Sequence, residues 1–342
     1  MNIVVLAGGI STERDVSLIS GKNVVNALRN AGENAVLLDV FLGYDKDAAS
    51  FFSSEQAKYE TKGGIKEIDP SIEEVKKSRG DDSPSLFGPN VIEICKTADF
   101  VFIALHGEDG EDGKVQAAFD LLGIKYTGSG CLGSAMAMNK YISKQMMDAN
   151  NITNAKYVFV KKGSELPKYS FPCVIKPASG GSSVGISIAK NEEDYSKAVE
   201  IAFGYEDEII IEEYIEGREF SVGVLGDKVL PPIEIIPKDG FYDYKNKYQE
   251  GMTLEVCPAE LSEDETKRLQ KCAKNVFDAL KLEVYGRIDF ILSKESQKFY
   301  CLEANSLPGL TPMSLLPQEA KAIGIDYEAL CKKIIELSYK KH

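Results

Sequence analysis

The stretch YGRIDFILSKESQKFYCLEAN, residues 285–305, is predicted to form two strands joined by a polar turn. Side chains two residues apart in a strand share a face, so Arg287 and Asp289 point the same way. Glu303 and Asn305 share a face of the second strand for the same reason. With the turn centred between the strands, Asp289 lies opposite Glu303. By the same register, Arg287 lies opposite Asn305.

This polar face of an otherwise apolar hairpin predicts a metal and phosphate site. Oxygen ligands from Asp, Glu and Asn suit Mg²⁺, which keeps waters and substrate phosphates as its other ligands. An adjacent arginine can hold a phosphate group or a developing oxyanion. A solvated hairpin face with paired charges explains the same spacing, and the sequence alone leaves this alternative open.

A glycine- and serine-rich segment, SGGSSVG at residues 179–185, follows the strand-like FPCVIKPA. Glycines let backbone amides approach a phosphate closely, and the hydroxyl groups add donors. No Gly-Lys-Ser/Thr follows, so the segment is not a Walker A loop. Lys176 in the preceding strand strengthens the prediction of a phosphate-binding flap. An ordinary hairpin turn with a surface lysine is the alternative.

The segment GSGCLG, residues 128–133, matches the dinucleotide fingerprint G-x-G-x-x-G and precedes a predicted helix. Asp148 lies about 20 residues further on, where an acidic residue binds the ribose in such folds. An NAD-dependent oxidoreductase is therefore an alternative function. The preceding strand is short, however, and no second half of a dinucleotide-binding sheet follows. A tight turn that opens a helix is favoured.

The first third of the chain predicts a small α/β unit with a parallel sheet and crossover helices. Its strand-like segments are NIVVLA, NAVLLDV and DFVFIAL. His106 follows the last of these, at the strand end where open α/β sheets bind ligands. Glu13 lies in the corresponding loop after the first strand. A carboxylate there can hold a substrate ammonium or cap the next helix, and His106 can likewise have a structural role.

Composition argues against several classes of protein. The chain has 342 residues and a formal net charge of −13. Such an acidic surface repels nucleic acid and anionic lipid unless a basic patch overrides it, and no dense Lys/Arg run is present. Seven Cys without a Cys-x-x-Cys pair, and two His, argue against a disulfide framework and a zinc site. No signal peptide and no run of about 20 apolar residues is visible, which predicts a cytoplasmic protein.

Several segments, taken in order, resemble the D-alanine:D-alanine ligases of the ATP-grasp superfamily, and the resemblance spans nearly the whole chain. The segments are LAGGISTERDVSLISG (6–21), FIALHGEDGEDGKVQ (102–116), YTGSG (126–130), MNKYISK (138–144), VIKPASGGSSVG (174–185), EEYIEGREF (212–220), YDYKNKY (242–248), GRIDF (286–290) and LEANSLPGLTPMSL (302–315). The resemblance implies an α/β N-terminal domain, with a parallel sheet and flanking helices, followed by two α+β domains that form an ATP-grasp. The implied boundaries are residues 1–128 with an insertion at about 41–97, then 129–212, and 213–342 with a lid loop at about 237–251.

Matched residue by residue, the family pattern implies several groups of functional residues. ATP would be bound by Lys140, Lys176, Ser183, Glu212, Glu213, Ile215, Glu219 and Lys247. The metal would be held by Asp289, Glu303 and Asn305. The two D-alanines would be bound by Glu13, His106, Arg287, Gly309, Ser314 and Leu315. The catalytic residues would be Glu13, Ser182, Tyr248, Arg287 and Gly309.

The resemblance implies ATP-dependent formation of D-alanyl-D-alanine for peptidoglycan through a D-alanyl phosphate intermediate. It implies Mg²⁺ or Mn²⁺ as two ions, a homodimer, and no nucleic acid or membrane partner, and it leaves activation by a monovalent cation open. Ligases of the same fold that use D-serine or D-lactate as second substrate are the nearest alternatives. Tyr248 fits an amine nucleophile, and Leu315 argues against D-serine. In the flap, Ser179-Gly180 replaces a commonly charged pair.

Overall fold

The computed structural model describes residues 1–54, 72–81, 83–181, 184–238 and 253–342, without the side chains of Ser54 and Asp109. Four predicted site residues lie outside this part of the chain: Ser182, Ser183, Lys247 and Tyr248. Most of the predicted lid loop lies outside it as well. The described residues form three β-sheets, which helices connect and flank.

The first sheet is parallel and has the strand order β2-β1-β3. Its strands are β1 Asn2–Ala7, β2 Asn34–Asp39 and β3 Phe100–Ile103. The strands are apolar runs that are almost wholly buried, as expected for a parallel sheet covered on both faces. The parallel sheet predicted for the first third of the chain is therefore confirmed.

The helices of this first unit are α1 Arg14–Asn30, α2 Phe51–Ser54, α3 Ile72–Ser78, α4 Val91–Thr97, α5 Glu108–Glu111 and α6 Lys114–Leu122, with a 3-10 turn at Ala48–Ser50. Both ends of the predicted insertion contribute to the hydrophobic core here. Phe41 and Phe51 are buried at one end, and Val91 and Ile94 are buried at the other. The segment between β2 and β3 is thus anchored to the sheet on both sides.

The second sheet is antiparallel and has the order β4-β7-β5-β6. Its strands are β4 Tyr157–Lys161, β5 Cys173–Pro177, β6 Ser187–Ala189 and β7 Glu208–Glu213. The accompanying helices are α7 Cys131–Met138, α8 Lys140–Ala149 and α9 Glu192–Tyr205. Helix α9 begins at the predicted cap, where the Asn191 side chain accepts a hydrogen bond from the Asp194 amide.

The third sheet has the order β11-β10-β8-β12-β13, with β9 paired to β8. Its strands are β8 Gly217–Leu225, β9 Lys228–Val229, β10 Ile233–Pro237, β11 Thr253–Val256, β12 Tyr285–Ser293 and β13 Phe299–Asn305. The helices are α10 Glu263–Ala279, α11 Leu315–Ala322 and α12 Tyr327–Tyr339. Ser262 and Glu265 form the predicted capping box of α10. Among the helices in the described ranges, none is long and apolar enough to cross a bilayer.

The C-terminal helix α12 packs against α1, although the two are far apart in sequence. Its Leu330 and Ile334 join the core of the first unit, together with Leu307 and Leu310 from the loop after β13. This packing holds the loop after β13 against the first unit. The loop after β13 therefore meets the carboxyl-terminal edge of the first sheet, where His106 lies 3.2 Å from Leu307 O.

Candidate active site

The β12–β13 hairpin pairs in the predicted register. Asp289 lies opposite Glu303, and Arg287 lies opposite Asn305. A β-bulge follows directly, between Asp289 and Phe290. Bulges are common next to active sites because they re-aim side chains and end regular pairing. The pairing that the two-residue periodicity predicted is confirmed.

Asp289 is the centre of a hydrogen-bond network on this face. The Arg287 guanidinium donates to both of its oxygens, from Nε to Oδ1 at 3.0 Å and from Nη2 to Oδ2 at 2.8 Å. Ser221 Oγ donates to Oδ1 at 2.7 Å, and Asn305 Nδ2 donates to Oδ2 at 3.1 Å. Asp289 is buried, so the alternative of a solvated face does not apply to it.

The chemistry of this donor set fits a divalent cation that keeps part of its hydration. The described ranges contain no group of three or more His, Cys, Asp and Glu side chains arranged to hold a metal. The predicted ligands are the carboxylates Asp289 and Glu303 and the amide Asn305. Waters and phosphate oxygens must complete such a coordination shell, as they do around Mg²⁺. Because donors from Arg287, Ser221 and Asn305 engage both Asp289 oxygens, a cation must compete with these donors, the Arg287 guanidinium among them.

Two lysines and a glutamate form a buried cluster around the second sheet, which we call the lysine cluster. The Nζ atoms of Lys176 on β5 and Lys144 on α8 lie 3.0 Å and 3.1 Å from Glu212 Oε1 on β7. Burial raises the pKa of the Glu212 carboxyl, but the two ammonium groups outweigh burial and hold that pKa below its ordinary value. The lysine cluster therefore carries one surplus positive charge, which favours a further anion.

Lys140, at the start of α8, lies beside the lysine cluster and holds the root of the flap. Its Nζ donates to Gly180 O at 2.6 Å, and its backbone amide donates to Ala178 O at 2.7 Å. Burial lowers the pKa of Lys140; Glu303 raises it, Lys176 lowers it, and the net direction is downward. Lys140 therefore lies close enough to both Glu303 and Lys176 for their charges to act on it.

Glu206 forms a second tether at the flap root. Its Oε2 accepts a hydrogen bond from the Ser179 amide at 2.9 Å. Glu206 directly follows the last residue of α9, so the helix end fixes its position. A carboxylate from outside the flap therefore holds the segment in which Ser179-Gly180 replaces the commonly charged pair.

Four of the predicted ATP-binding residues lie where the second sheet passes into the third: Glu212, Glu213, Ile215 and Glu219. Strand β7 ends at Glu213 and β8 begins at Gly217, so Ile215 lies in the connection. Glu219 lies near the start of β8. Glu213 Oε1 accepts a hydrogen bond from the Lys156 amide at 2.9 Å, so the side chain is already engaged. The Glu213 backbone amide in turn donates to Lys156 O at 3.0 Å, which leaves the backbone carbonyl as its remaining polar group.

Glu13 lies where three loops meet. It precedes α1, but its carboxylate does not cap that helix, so the capping alternative does not apply. A Cβ built on Gly107, in the loop after β3, would lie 3.2 Å from Glu13 Oε2. A Cβ on Gly181, in the flap, would lie 3.1 Å from the same oxygen. The structure therefore brings Glu13, the His106 loop and the flap root together.

His106 is buried and has neighbours at both ring nitrogens. Its Nδ1 lies 3.2 Å from Leu307 O and 3.6 Å from Glu111 Oε1, and its Nε2 lies 3.1 Å from Ser20 Oγ. Both neighbours of Nδ1 are acceptors, so Nδ1 carries a proton. Burial raises the pKa of Glu111; the hydrogen bond from His106 lowers it, Glu13 raises it, and the net direction is upward. The loop after β13 thus fixes the orientation of the imidazole.

The loop after β13 also brings Gly309 and Ser314 together. A Cβ on Gly309 would lie 3.1 Å from Ser314 Oγ. Ser314 Oγ accepts a hydrogen bond from the Thr311 amide at 3.0 Å, which closes the loop. Leu315 begins α11 and packs in an apolar cluster with Ile233 of β10. A helix N-terminus next to an apolar wall favours a small ligand that carries a carboxylate.

Two family models match the chain. The family described as D-ala D-ala ligase N-terminus matches residues 2–129, and the one described as D-ala D-ala ligase C-terminus matches residues 139–336. The chain belongs to the D-alanine–D-alanine ligase family. The ligase of Pediococcus pentosaceus is 46% identical over 341 residues, which cover 98% of this chain and 97% of that protein. The ligase of Lacticaseibacillus casei is 45% identical over 343 residues, which cover 98% and 95%.

Solved structures of this family confirm the predicted fold class. The D-alanine–D-alanine ligase of Bacillus anthracis, complexed with ATP, has a TM-score of 0.77 and 29% identity, covering 100% of this chain and 98% of that one. The VanG D-Ala:D-Ser ligase of Enterococcus faecalis has a TM-score of 0.75 and 28% identity, covering 98% of each chain. Two acceptor specificities therefore share this fold, so the fold does not identify the second substrate.

Membership of the ligase family leaves the GSGCLG segment with a structural role. The Gly130 amide donates to Glu283 Oε2 at 3.0 Å, and the Gly128 amide donates to Ser338 Oγ at 3.3 Å. The amides that would cradle a pyrophosphate are thus engaged within the protein. Helix α7 begins at Cys131, as the tight-turn interpretation predicted. The oxidoreductase alternative has no support from this geometry.

Several residues that contact the predicted site residues were not predicted from the sequence: Glu111, Lys144, Glu206 and Ser221. Two of them carried a local signal. Lys144 follows Lys140 by four residues on α8, so the two share a helix face, and Glu111 belongs to one of the motifs of the resemblance. Ser221 reaches Asp289 through strand pairing across 68 residues, so no local pattern indicated it.

Proposed function

We propose that the chain catalyses the ATP-dependent ligation of two D-alanines to D-alanyl-D-alanine, through a D-alanyl phosphate. The observation that carries this proposal is the convergence of three features around one space. They are the carboxylates of the β12–β13 face, the lysines beside the flap, and Glu13 next to the His106 loop. The carboxylates suit a metal ion, the lysines suit a polyphosphate, and Glu13 suits the ammonium group of an amino acid.

ATP lies between the second and third sheets in this proposal. Its phosphates are bound by Lys140, Lys176, Ser183 and Lys247, and its adenine and ribose by Glu212, Glu213, Ile215 and Glu219. The surplus positive charge of the lysine cluster supports this assignment. Glu212 has a second task here, because its carboxylate holds Lys176 in place.

The residues Asp289, Glu303 and Asn305 hold Mg²⁺ or Mn²⁺, with two ions in this proposal. A metal held there would supply positive charge to neutralise the phosphoryl group. Burial of Asp289 and its pairing with Glu303 support the assignment. Arg287, on the same face, approaches the reacting carboxylate.

Glu13 binds the ammonium of the first D-alanine, and His106 lies beside it. The Leu307 carbonyl, 3.2 Å from Nδ1, keeps the protonated nitrogen of His106 in a fixed orientation. Ser182 and Tyr248 join Glu13 in a hydrogen-bond set that closes the flap and the lid. The closeness of Gly181 to Glu13 supports this closure. Closure excludes water, which would otherwise hydrolyse the acyl phosphate.

The second D-alanine binds at the start of α11. Its carboxylate contacts Ser314 and Leu315, where the helix N-terminus favours an anion. Its amine attacks the acyl phosphate, while Arg287 and the Gly309 amide stabilise the tetrahedral oxyanion and phosphate leaves. Catalysis rests on positioning, charge neutralisation and exclusion of water.

The surroundings of Leu315 favour D-alanine over D-serine as the acceptor. Leu315 is buried and packs with Ile233 and Ile235, so this wall offers no partner for a serine hydroxyl. A buried hydroxyl without a partner is unfavourable, and a methyl group is not. Tyr248, which lies outside the described residues, is expected to favour an amine over the hydroxyl of D-lactate.

Coupled measurement of ADP release with D-alanine, D-serine and D-lactate as acceptors, across a range of pH, tests this function. We expect turnover with D-alanine alone at neutral pH. Turnover with D-lactate and none with D-alanine near neutral pH would contradict the proposal. Mass determination of the dipeptide product separates ligation from simple ATP hydrolysis.

Three further features are proposed on the family resemblance. The division into residues 1–128, 129–212 and 213–342 is supported by the three sheets, which follow these ranges closely. A homodimer and a cytoplasmic location are the other two. The seven cysteines are all free thiols, in keeping with a reducing compartment. Light scattering after size-exclusion chromatography measures the oligomeric state.

A further inference from the structure

Glu319 of helix α11 is a buried carboxyl that the mechanism above does not use. Its side chain is completely inaccessible to solvent. Among the described residues, neither carboxyl oxygen makes a hydrogen bond of normal geometry, although the Gly223 backbone amide is close enough to lower the pKa of the carboxyl. Burying an acidic group without partners destabilises a folded chain, so such a group is a candidate for a functional role.

The carboxyl of Glu319 lies where a side chain at Gly223 would be, on the face that carries Arg287. Gly223 on β8 lies directly opposite Arg287 on β12, and opposite residues of an antiparallel pair share a face. A Cβ on Gly223 would collide with Glu319 Oε2. Glycine at this position therefore leaves room for the Glu319 carboxyl on the face that carries Arg287.

Electrostatics connect the same two residues. Burial raises the pKa of Glu319 well above its ordinary value, and Arg287 is the charge that opposes this most. Arg287 meanwhile donates to both oxygens of Asp289. Those oxygens belong to a proposed metal ligand, so a bound cation and the guanidinium compete for them. Arg287 then needs another anionic partner if it is to stay beside the substrate.

We propose that Glu319 is a positioning residue. It holds the Arg287 guanidinium beside the reacting groups when the Asp289 carboxylate coordinates the metal. The inference rests on the proposed role of Arg287 and adds a residue that does not touch substrate. Glu319 approaches from α11, whose N-terminus carries the proposed acceptor site at Ser314 and Leu315. The same short helix would thus position both the acceptor and the arginine.

Glu319→Gln and Glu319→Met in the full-length chain test the proposal. Both remove the charge and keep the approximate volume, so we expect an unchanged or higher thermal midpoint in the metal-free protein. We expect kcat/KM for D-alanine to fall by about 10- to 100-fold, as for other residues that position a functional group. KM for ATP should stay within about twofold, because Arg287 does not contact the nucleotide in this account.

Titration with Mn²⁺ in the presence of ATP, followed by electron paramagnetic resonance of the free ion, gives a readout independent of turnover. Without Glu319, Arg287 remains on Asp289 and competes with the ion. We expect Mn²⁺ affinity to fall by about tenfold in both variants. Unchanged Mn²⁺ affinity together with unchanged kinetics would overturn the proposal, and so would failure of both variants to fold.

Glu234→Gln is the matched control. Glu234 is a buried carboxylate in the same sheet, but Arg218 donates to both its oxygens, at 2.7 Å each. Neutralising it should lower the thermal midpoint and leave kcat and KM within about twofold, because it removes a paired charge that the proposed mechanism does not use. If the Glu319 variants behave like this control, Glu319 has a structural role only.

A double-mutant cycle with Arg287→Lys separates this inference from the role of Arg287 itself. If Glu319 acts through Arg287, Glu319→Gln should add less than about twofold to the loss in the Arg287→Lys background. Independent, multiplicative losses would contradict the inference. An unimpaired Arg287→Lys single variant would instead contradict the proposed role of Arg287. If Arg287→Lys lowers kcat/KM as expected but Glu319→Gln leaves it unchanged, only the proposal for Glu319 is contradicted.

Discussion

The lysine cluster and the carboxylate face of β12–β13 carry surplus charges of opposite sign. The lysine cluster is buried, whereas on the carboxylate face Asp289 is buried and Glu303 is half-buried. In the first, Lys144 and Lys176 share the single carboxylate of Glu212. In the second, one guanidinium, that of Arg287, faces Asp289 and further carboxyl groups nearby. This difference supports the proposal that the first region binds polyphosphate and the second binds the metal. The overall charge of −13 indicates neither.

Glu303→Gln removes negative charge from the second region and should have the largest effect. The variant keeps the shape of the side chain but loses a proposed metal ligand, so ADP release should fall by about 10³-fold or more. Glu295→Gln, in the exposed turn of the same hairpin, is the control and should keep full activity. Normal turnover of Glu303→Gln would refute the metal assignment.

Glu212→Gln removes the negative charge of the lysine cluster. It leaves Lys144 and Lys176 buried without their shared counter-ion, and the loss in free energy of unfolding should be about 3 to 5 kcal/mol. Denaturant unfolding of the ligand-free protein measures it. Glu208→Gln, on the same strand, removes a more exposed partner of Lys161 and should change stability little. Equal effects of the two substitutions would contradict the special status of the lysine cluster.

The pH dependence of stability gives a second test of the lysine cluster, because the pKa of the Glu212 carboxyl in the folded protein is held below its ordinary value of 4.5. A carboxyl with a lowered folded pKa stabilises the protein fully above the unfolded value, and this contribution is lost as pH falls through the folded value. The stability difference between the wild type and Glu212→Gln should therefore be constant above about pH 5 and shrink in more acidic solution. A difference that shrinks between pH 7 and 5 would contradict this account.

Glu206→Ala should have the smallest effect. It removes the acceptor of the Ser179 amide at the flap root, a hydrogen bond that is worth about 1 kcal/mol. We expect KM for ATP to rise a few-fold with kcat nearly unchanged. Glu200→Ala, on the exposed side of α9, is the control. A change in kcat without a change in KM would show that the tether acts on the chemical step instead.

The carboxylate face was predictable from sequence because its geometry is local. A two-residue period and a short turn determine which side chains meet, and Asp289 does lie opposite Glu303. The burial of the three strands of the first sheet followed in the same way from their apolar runs. Such features depend on residues close together in the chain.

Contacts between distant segments were not predictable from the residues alone. Ser221 reaches Asp289 because β8 pairs with β12, and Glu319 reaches the Arg287 face because α11 packs over Gly223. His106 meets Leu307 across 201 residues, since α12 packs against α1. Strand order and helix docking determine these contacts, and no local periodicity encodes either.

A crystal structure of the full chain with Mn²⁺ and a non-hydrolysable ATP analogue, with anomalous data for the ion, shows directly whether the two regions bind metal and polyphosphate. We expect anomalous peaks at coordination distance, about 2.0 to 2.3 Å, from oxygens of Asp289, Glu303 and Asn305. We also expect phosphate oxygens in contact with Lys140 and Lys176. Manganese bound elsewhere, or phosphates remote from both lysines, would contradict the assignment of opposite charge regions to metal and polyphosphate.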